Sequence, residues 1–279
     1  MRVYITGNKG QLGVALTRQW SDSADVLGSD LPEVDITDQD IITQEIVSAE
    51  PDLVVHCAAM TNVDGCAEQP DLAYRVNVLG AQNVAIAANV AGASIVHIST
   101  NEVFSGNDER AYHEFDAPDP INPYGKTKAA AEWIVSHLSN RFYIVRTAWL
   151  YARGGRNFIH AIMRGADEGG PLRVVTDEVA NPTYVEDLAE AIISLSGTGR
   201  YGVYHLVNEG ATSRYQFARQ ILELTGNGDV PIERILRAQW SRASTPPEFA
   251  PLENNAAAAL GIRLRHWQNA LSEYLTTDD

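Results

Sequence analysis

The sequence predicts an α/β fold: a doubly wound parallel sheet followed by a smaller C-terminal domain. Three observations predict it. Short β-branched runs alternate with longer helical patterns through the first half of the chain. A glycine-rich loop, Thr6-Gly7-Asn8-Lys9-Gly10-Gln11-Leu12-Gly13, joins the first strand to the first helix. After about Trp149 the alternation gives way to a loop-rich pattern.

The elements follow in order. Arg2-Val-Tyr-Ile5 reads as a buried strand, and Gln11–Trp20 as a helix with Leu12, Ala15, Leu16 and Gln19 spaced for one face. Asp25-Val-Leu27, Asp52-Leu-Val-Val-His56 and Ser94-Ile-Val-His-Ile98 are the second to fourth strands. Asp71–Ala91, rich in Ala, Val and Asn, has helical spacing, as does Asn122–Leu138, and Phe142-Tyr-Ile-Val-Arg146 is a further strand. Such alternation implies right-handed βαβ units and a parallel sheet covered on both faces. Later strand signals thin to Arg173-Val-Val175 and Val203–Val207. Thr183-Tyr-Val-Glu186 reads as a capping box before an apolar helix at Leu188–Leu195. Ser241–Pro251 is an irregular loop, and a last helix covers about His266–Tyr274. The expected division is residues 1–148, with part of 172–207 returning to them, and 149–279 as mainly a substrate-binding domain.

Composition narrows the function classes. The chain has 279 residues, 45% apolar and 20% charged, with 21 Lys+Arg against 36 Asp+Glu and a net charge of −15. Such a surface repels phosphate backbones and anionic lipid, so neither a nucleic acid nor a membrane is the expected partner. Cys57 and Cys66 lie in no CxxC, and no Cys/His cluster has zinc spacing, so no metal is expected. No apolar run approaches the roughly 18 residues that span a bilayer. The chain opens directly into a strand pattern, and the expectation is a soluble cytoplasmic protein.

The glycine loop places Gly7, Gly10 and Gly13 where a tight turn must bring backbone close to a pyrophosphate, with the helix N-terminus supplying N–H groups. This is the arrangement of a Rossmann dinucleotide site. Asp30 ends the second strand, where a carboxylate bonds both ribose hydroxyls and repels a 2′-phosphate. Its neighbour is Leu31 rather than a phosphate-receiving arginine, so NADH is preferred, with NADPH as the alternative. Asp35-Ile36 is placed to flank the adenine, although Asp-Ile-Thr-Asp reads equally well as a helix cap.

Tyr124-Gly-Lys-Thr-Lys128 sets a phenol and an amine on one helix face. An ammonium one turn away favours the phenolate and is expected to lower the phenol pKa toward the working range. The only lysines are Lys9, Lys126 and Lys128, all within these two motifs. Ser99-Thr100 stands at the C-terminal end of the fourth strand, where a hydroxyl can reach a substrate carbonyl in an open parallel sheet, although Ser-Thr there reads equally well as a turn or cap.

Together, TGxxGxxG, Asp30, Ser99-Thr100 and Tyr124-xxx-Lys128 resemble the extended short-chain dehydrogenases/reductases. Ala58-Ala-Met-Thr-Asn-Val-Asp64, Ile98-Ser-Thr-Asn-Glu-Val-Phe-Ser-Gly106, Pro120–Lys128 with Glu132, and Arg146-Thr-Ala-Trp-Leu-Tyr151 are similar to segments of the dTDP-4-dehydrorhamnose reductase family. The likeness runs over nearly the whole chain. It implies that Tyr124 donates a proton, Lys128 assists it and Thr100 orients the carbonyl. It further implies that Gly10, Gln11 and Leu12 cover the pyrophosphate, and that Ala58, Ala59, Met60 and Thr61 border the dinucleotide. Trp149, with Asn101 and Glu102, would face a nucleotide-sugar substrate.

Four departures stand out. Asn101 and Glu102 replace the family's Asp-Tyr, and Pro246-Pro247 replaces an Arg-Pro whose cation faces the diphosphate. Ala15 stands where metal-binding members carry a glutamate, against a magnesium-bridged dimer, although a homodimer stays open. The expected reaction is NAD(P)H-dependent reduction of a nucleotide-linked 4-keto-6-deoxy sugar. A sugar-nucleotide epimerase or dehydratase of the same fold, and a non-catalytic dinucleotide-binding regulatory subunit, are the alternatives.

Overall fold

The computed structural model describes residues 1–154 and 157–276. From the N-terminus, β1 (Arg2–Thr6), α1 (Gln11–Trp20), β2 (Asp25–Ser29), α2 (Gln39–Ala49) and β3 (Leu53–His56) alternate as the sequence predicts. α3 (Val63–Glu68) and α4 (Pro70–Tyr74) follow, and α4 runs through a π-helical turn, Arg75–Leu79, into α5 (Gly80–Val90). Next come β4 (Ser94–Thr100), α6 (Pro123–Leu138) and β5 (Phe142–Thr147). The second half begins with β6 (Leu150–Tyr151), α7 (Phe158–Asp167), β7 (Leu172–Val175), β8 (Val179–Ala180), β9 (Thr183–Tyr184) and α8 (Val185–Ser196). It continues through β10 (Gly202–His205), β11 (Thr212–Ser213), α9 (Arg214–Leu224), β12 (Ile232–Ile235), α10 (Asn255–Ala259) and α11 (Trp267–Thr276).

Six of these strands form one sheet in the order β10-β5-β4-β3-β1-β2, every neighbouring pair parallel. Strand alternation sends Val3 and Ile5 to one face and Tyr4 to the other. On the first face, Leu12, Leu16 and Trp20 of α1 and Val185, Leu188 and Ile192 of α8 bury against Val55 and Val145. On the second, Ile42 and Ile46 of α2, Val84 and Ala88 of α5, and Val135 of α6 cover Val54 and Ile95. A separate core gathers Tyr151, Ile159, Phe217, Trp267 and Leu271 from the second half.

The register fixes the site. Thr6 lies opposite Ser29 and His56, and Thr100 opposite Thr147, so these strand ends share one edge of the sheet. The chain turns from β1 to β2 on one side and returns as β3 on the other. The crevice at that switch point is where ligands enter open α/β sheets.

Several local expectations differ from the structure. The stretch 71–91 is interrupted by the π turn, whose wider winding carries Asn77 against the loop after β3. Thr183 does not cap α8. It sits in β9, held extended by pairing with β6, and its hydroxyl donates to the Asn181 carbonyl, so Tyr184 precedes a helix starting at Val185. The strand at Arg173–Val175 pairs with β12 outside the main sheet, whereas β10 joins that sheet beside β5.

Candidate active site

Close backbone approach explains the glycine loop. Gly7 adopts φ +72°, and a Cβ there would lie 2.7 Å from the Ala58 nitrogen across the switch point. A Cβ on Gly13 would run into the loop at Gly7 and Asn8, 2.6 Å from Asn8 Cα. Gly10 precedes α1 with no capping side chain, and the first turn carries no acidic residue. The N–H groups of Gln11, Leu12 and Gly13 therefore have no acceptor among the described residues. An uncapped N-terminus of a ten-residue helix at the switch point fits a pyrophosphate.

Asp30 closes β2. Its Oδ2 accepts from the Lys9 amide at 3.0 Å and its Oδ1 from the Leu31 amide at 2.8 Å. The Lys9 ammonium reaches across to Glu33 at 2.6 Å. Asp35 turns its carboxylate to the Thr37 amide at 2.9 Å, and Asp38 is the cap of α2. The Ile36 side chain is buried in the core beside Gly80. Ala58, Ala59 and Met60 line the loop after β3 half-buried, with Thr61 exposed. Asn77 clamps this loop: its Oδ1 accepts from the Met60 amide at 2.8 Å, and its Nδ2 donates to the Met60 carbonyl and the Thr127 hydroxyl.

α6 carries Tyr124 and Lys128. Asn122 caps it by accepting from the Gly125 amide at 2.8 Å, which sets Tyr124 in the first turn and Lys128 in the next. Lys128 is 3% exposed, its Nζ 3.4 Å from His97 Nε2, and burial lowers its pKa to about 8. Burial, and then the Lys128 charge, hold His97 well below the ordinary histidine range, so it is a neutral partner. The Tyr124 phenol departs from expectation. Burial dominates and, with the Glu102 carboxylate, holds it above its ordinary value, while a hydrogen bond with the Thr100 side chain opposes this. A phenol held up in this way is fully protonated at neutral pH, which suits a proton donor. Burial pushes Cys57 up to about 12 and Cys66 to about 11, so neither is a thiolate nucleophile.

The helix is anchored by a buried ion pair. Arg146 on β5 donates to Glu132 through Nη2 at 2.7 Å and Nε at 3.0 Å, and the Ser99 hydroxyl also donates to Glu132. Glu132 thereby ties α6 to β4 and β5 directly behind Lys128 and Thr100.

Beyond Thr100 the cleft opens into the second half of the chain. Thr100 Oγ1 accepts from the Glu102 amide at 3.2 Å and donates to Asn101 Oδ1 at 3.4 Å. Asn101 Nδ2 donates to the Ala250 carbonyl at 3.1 Å, so its amide fastens the C-terminal loop to the strand end. Trp149 holds a left-handed backbone, φ +43°, a strained state for a bulky residue. Its ring stacks under the Arg214 guanidinium at 3.5 Å, and Arg214 pairs with Glu178 at 3.6 Å. Trp149, Arg214 and Arg242 line both a cavity of about 780 Å³ and the smaller pocket reached by Glu102.

The sequence reading missed four of these residues: Asn77, His97, Arg214 and Arg242. Pro246 and Pro247 line the same pocket as Arg242 and Arg214, so the cleft keeps cations despite the lost Arg-Pro. No spacing marks Arg214 and Arg242, because they lie 65 and 93 positions beyond Trp149 and meet it only through the fold. Ala15 is buried in the core of α1, and among the described residues no group of three His, Cys, Asp or Glu could hold a metal.

A parallel sheet with a glycine-loop switch point, a strand-end Thr100 and the Tyr124/Lys128 pair on α6 define an extended short-chain dehydrogenase/reductase fold. Within that class the chain belongs to the RmlD substrate-binding domain family, whose model matches residues 1–279. It is similar to the spore coat polysaccharide biosynthesis protein SpsK of Bacillus subtilis, at 38% identity over 98% of this chain and 96% of that protein. It is also similar to the dTDP-4-dehydrorhamnose reductase of Mycobacterium tuberculosis, at 36% identity over 98% of this chain and 92% of that one. The crystal structure of the Bacillus anthracis dTDP-4-dehydrorhamnose reductase in complex with NADP superposes with a TM-score of 0.95 at 36% identity, covering 98% of each chain.

Proposed function

We propose that this protein is an NAD(P)H-dependent reductase of the C4 ketone of a nucleotide-linked 6-deoxy sugar, converting dTDP-4-dehydrorhamnose to dTDP-rhamnose. The observation that carries the reading is the pair Tyr124 and Lys128 one turn apart on α6, with Tyr124 hydrogen-bonded to the strand-end Thr100, in a fold that also has an uncapped α1 N-terminus and an arginine-lined cavity. Similarity over 98% of the chain to reductases of this name supports the substrate.

The reduced dinucleotide, when bound, supplies the hydride. The Gln11, Leu12 and Gly13 amides, next to Gly10 and Gly7, hold its pyrophosphate. Asp30 takes the ribose, Asp35 and Ile36 border the adenine through backbone and turn, and Ala58, Ala59, Met60 and Thr61 form the opposite wall. NADH is preferred because Asp30 repels a 2′-phosphate. Lys9, whose amide binds Asp30 and whose ammonium lies by Glu33, supplies the charge that admits NADPH as well.

Thr100 donates a hydrogen bond to the sugar carbonyl oxygen, and Tyr124 gives its phenolic proton to that oxygen as it becomes a hydroxyl. Lys128 holds the nicotinamide ribose and offsets the phenolate charge left on Tyr124. Arg214 and Arg242 receive the diphosphate, and Trp149 packs on the sugar nucleotide beside Asn101 and Glu102. In this reading residues 1–148, with part of 172–207, hold the dinucleotide, and 149–279 mainly hold the substrate. The reading places the protein in the cytoplasm, where reduced dinucleotide is available.

Mixing the protein with dTDP-4-dehydrorhamnose and NADH or NADPH should consume both dinucleotides, with the higher kcat/KM for NADH. Tyr124→Phe is expected to lower turnover by about 10²–10⁴ while dinucleotide binding persists. No consumption of either dinucleotide, or full turnover in Tyr124→Phe, would contradict the reading.

A further inference from the structure

Hydride transfer leaves one carboxylate at the reacting centre without an acid–base task. Glu102 follows Thr100 by two residues, and its amide donates to the Thr100 hydroxyl at 3.2 Å. Its Oε2 accepts from Asn122 Nδ2 at 2.6 Å. Asn122 is itself fixed, since its Oδ1 caps α6 and its Nδ2 also donates to the Thr245 carbonyl at 3.1 Å. Oε1 has no hydrogen bond among the described residues, and Glu102 lines the pocket that holds Trp149, Arg214 and Arg242. The carboxylate is thus positioned by one oxygen and free to react through the other.

Its surroundings favour a base. Burial raises the Glu102 pKa above its ordinary value, opposed by the Asn122 bond and by the charges of Arg242 and Arg214, while Glu178 adds to the rise. A carboxylate moved toward neutral pH accepts a carbon-bound proton better than a solvated one. A ketone at C4 acidifies the hydrogens on C3 and C5. The Glu102 carboxylate also stands near enough to the Tyr124 phenol to hold its pKa up, so a carbonyl oxygen held by Thr100 and Tyr124 brings those carbons toward this carboxylate.

Resting on the keto-sugar reading above, we propose that Glu102 is a general base toward the sugar carbon next to the ketone, giving the protein an enolising activity besides reduction. Glu102 takes the proton from C3 or C5. The C–H electron pair becomes a carbon–carbon π bond to C4, and the carbonyl π pair moves onto an oxygen stabilised by Thr100 and Tyr124. Return of a proton from Glu102 to the same carbon restores the ketone. No electron leaves the sugar, and the proton held by Glu102 exchanges with water in between.

The test is solvent exchange. The protein, dTDP-4-dehydrorhamnose and oxidised NADP are incubated in deuterium oxide, and the sugar is followed by mass spectrometry and proton NMR. Mass gain with loss of the C3 or C5 proton signal should exceed the enzyme-free rate by at least about tenfold. Glu102→Gln should lose this incorporation at least about tenfold more than it loses NADPH-driven reduction, and Glu102→Asp should restore part of it. Wild-type incorporation at the enzyme-free rate, with reduction intact, overturns the role of Glu102 alone. Incorporation undiminished in Glu102→Gln assigns the base elsewhere and overturns it too. Loss of both exchange and reduction in the wild type removes the keto-sugar reading as well.

Discussion

Lys128 carries its charge where water has little access, and that cost shapes what it can do. Its pKa of about 8, against an ordinary 10.5, means that the fold disfavours the ammonium, with neutral His97 as its partner at 3.4 Å. Between pH 8 and 10.5 the unfolded chain binds the proton more tightly than the folded one. Lys128 therefore subtracts from stability at neutral pH, and that loss fades as pH rises through this window. The consequence for function has the opposite direction. Dinucleotide affinity should fall as pH rises through about 8, because the charge that holds the ribose is lost, and Lys128→Met should bind weakly with a flat profile. Titration calorimetry from pH 6.5 to 9.5 would show this, and a flat wild-type profile would contradict it. The Tyr124/Lys128 spacing was legible because helix geometry sets it locally. The direction of the Tyr124 shift was not, since it depends on burial and on Glu102, which only the folded chain supplies.

α6 works as one element because Glu132 and Arg146 fasten it to the sheet. Their side chains are 6% and 4% exposed, and Ser99 adds a further bond to Glu132. Removing one partner strands a buried charge. Glu132→Ala should cost about 3–5 kcal/mol of stability in urea unfolding, and replacing Glu132 and Arg146 together by apolar residues should cost less than the two single changes summed. A loss below about 1 kcal/mol in the single variant would mean that the pair does not anchor the helix. At this scale the sequence was informative where periodicity and pairing agree, as in β1, α1 and α6. It was silent where pairing is non-local. The parallel partnership of β7 with β12 joins segments 60 positions apart, and the β6–β9 pairing, not a capping signal, decides where α8 begins.

The whole molecule sets a net charge of −15 against a cleft in which Arg214 and Arg242 face the cavity. An anionic ligand would meet these guanidiniums, paired with Glu178 and Asp64, rather than the overall charge. The same interior buries histidines as neutral groups. Burial holds His56 and His205 at about 3, so below about 6.5 the unfolded chain binds protons that the folded one refuses. Stability should therefore fall with pH, by about 2 kcal/mol for each of these histidines at pH 5. Urea midpoints unchanged between pH 7 and 5 would refute this. The α/β class was readable from alternation and the glycine loop, because each βαβ unit is nearly local. The pocket shared by Trp149, Arg214 and Arg242 was not, because these residues, from the β5–β6 link, α9 and the Ser241–Pro251 loop, converge only in the folded chain. The central claim is hydride transfer to C4 with Tyr124 as the acid, and one measurement tests it most directly. Reduction of dTDP-4-dehydrorhamnose with NADH deuterated at the transferring position should give a product one mass unit heavier, with the label at C4. A converted sugar that carries no deuterium would contradict it.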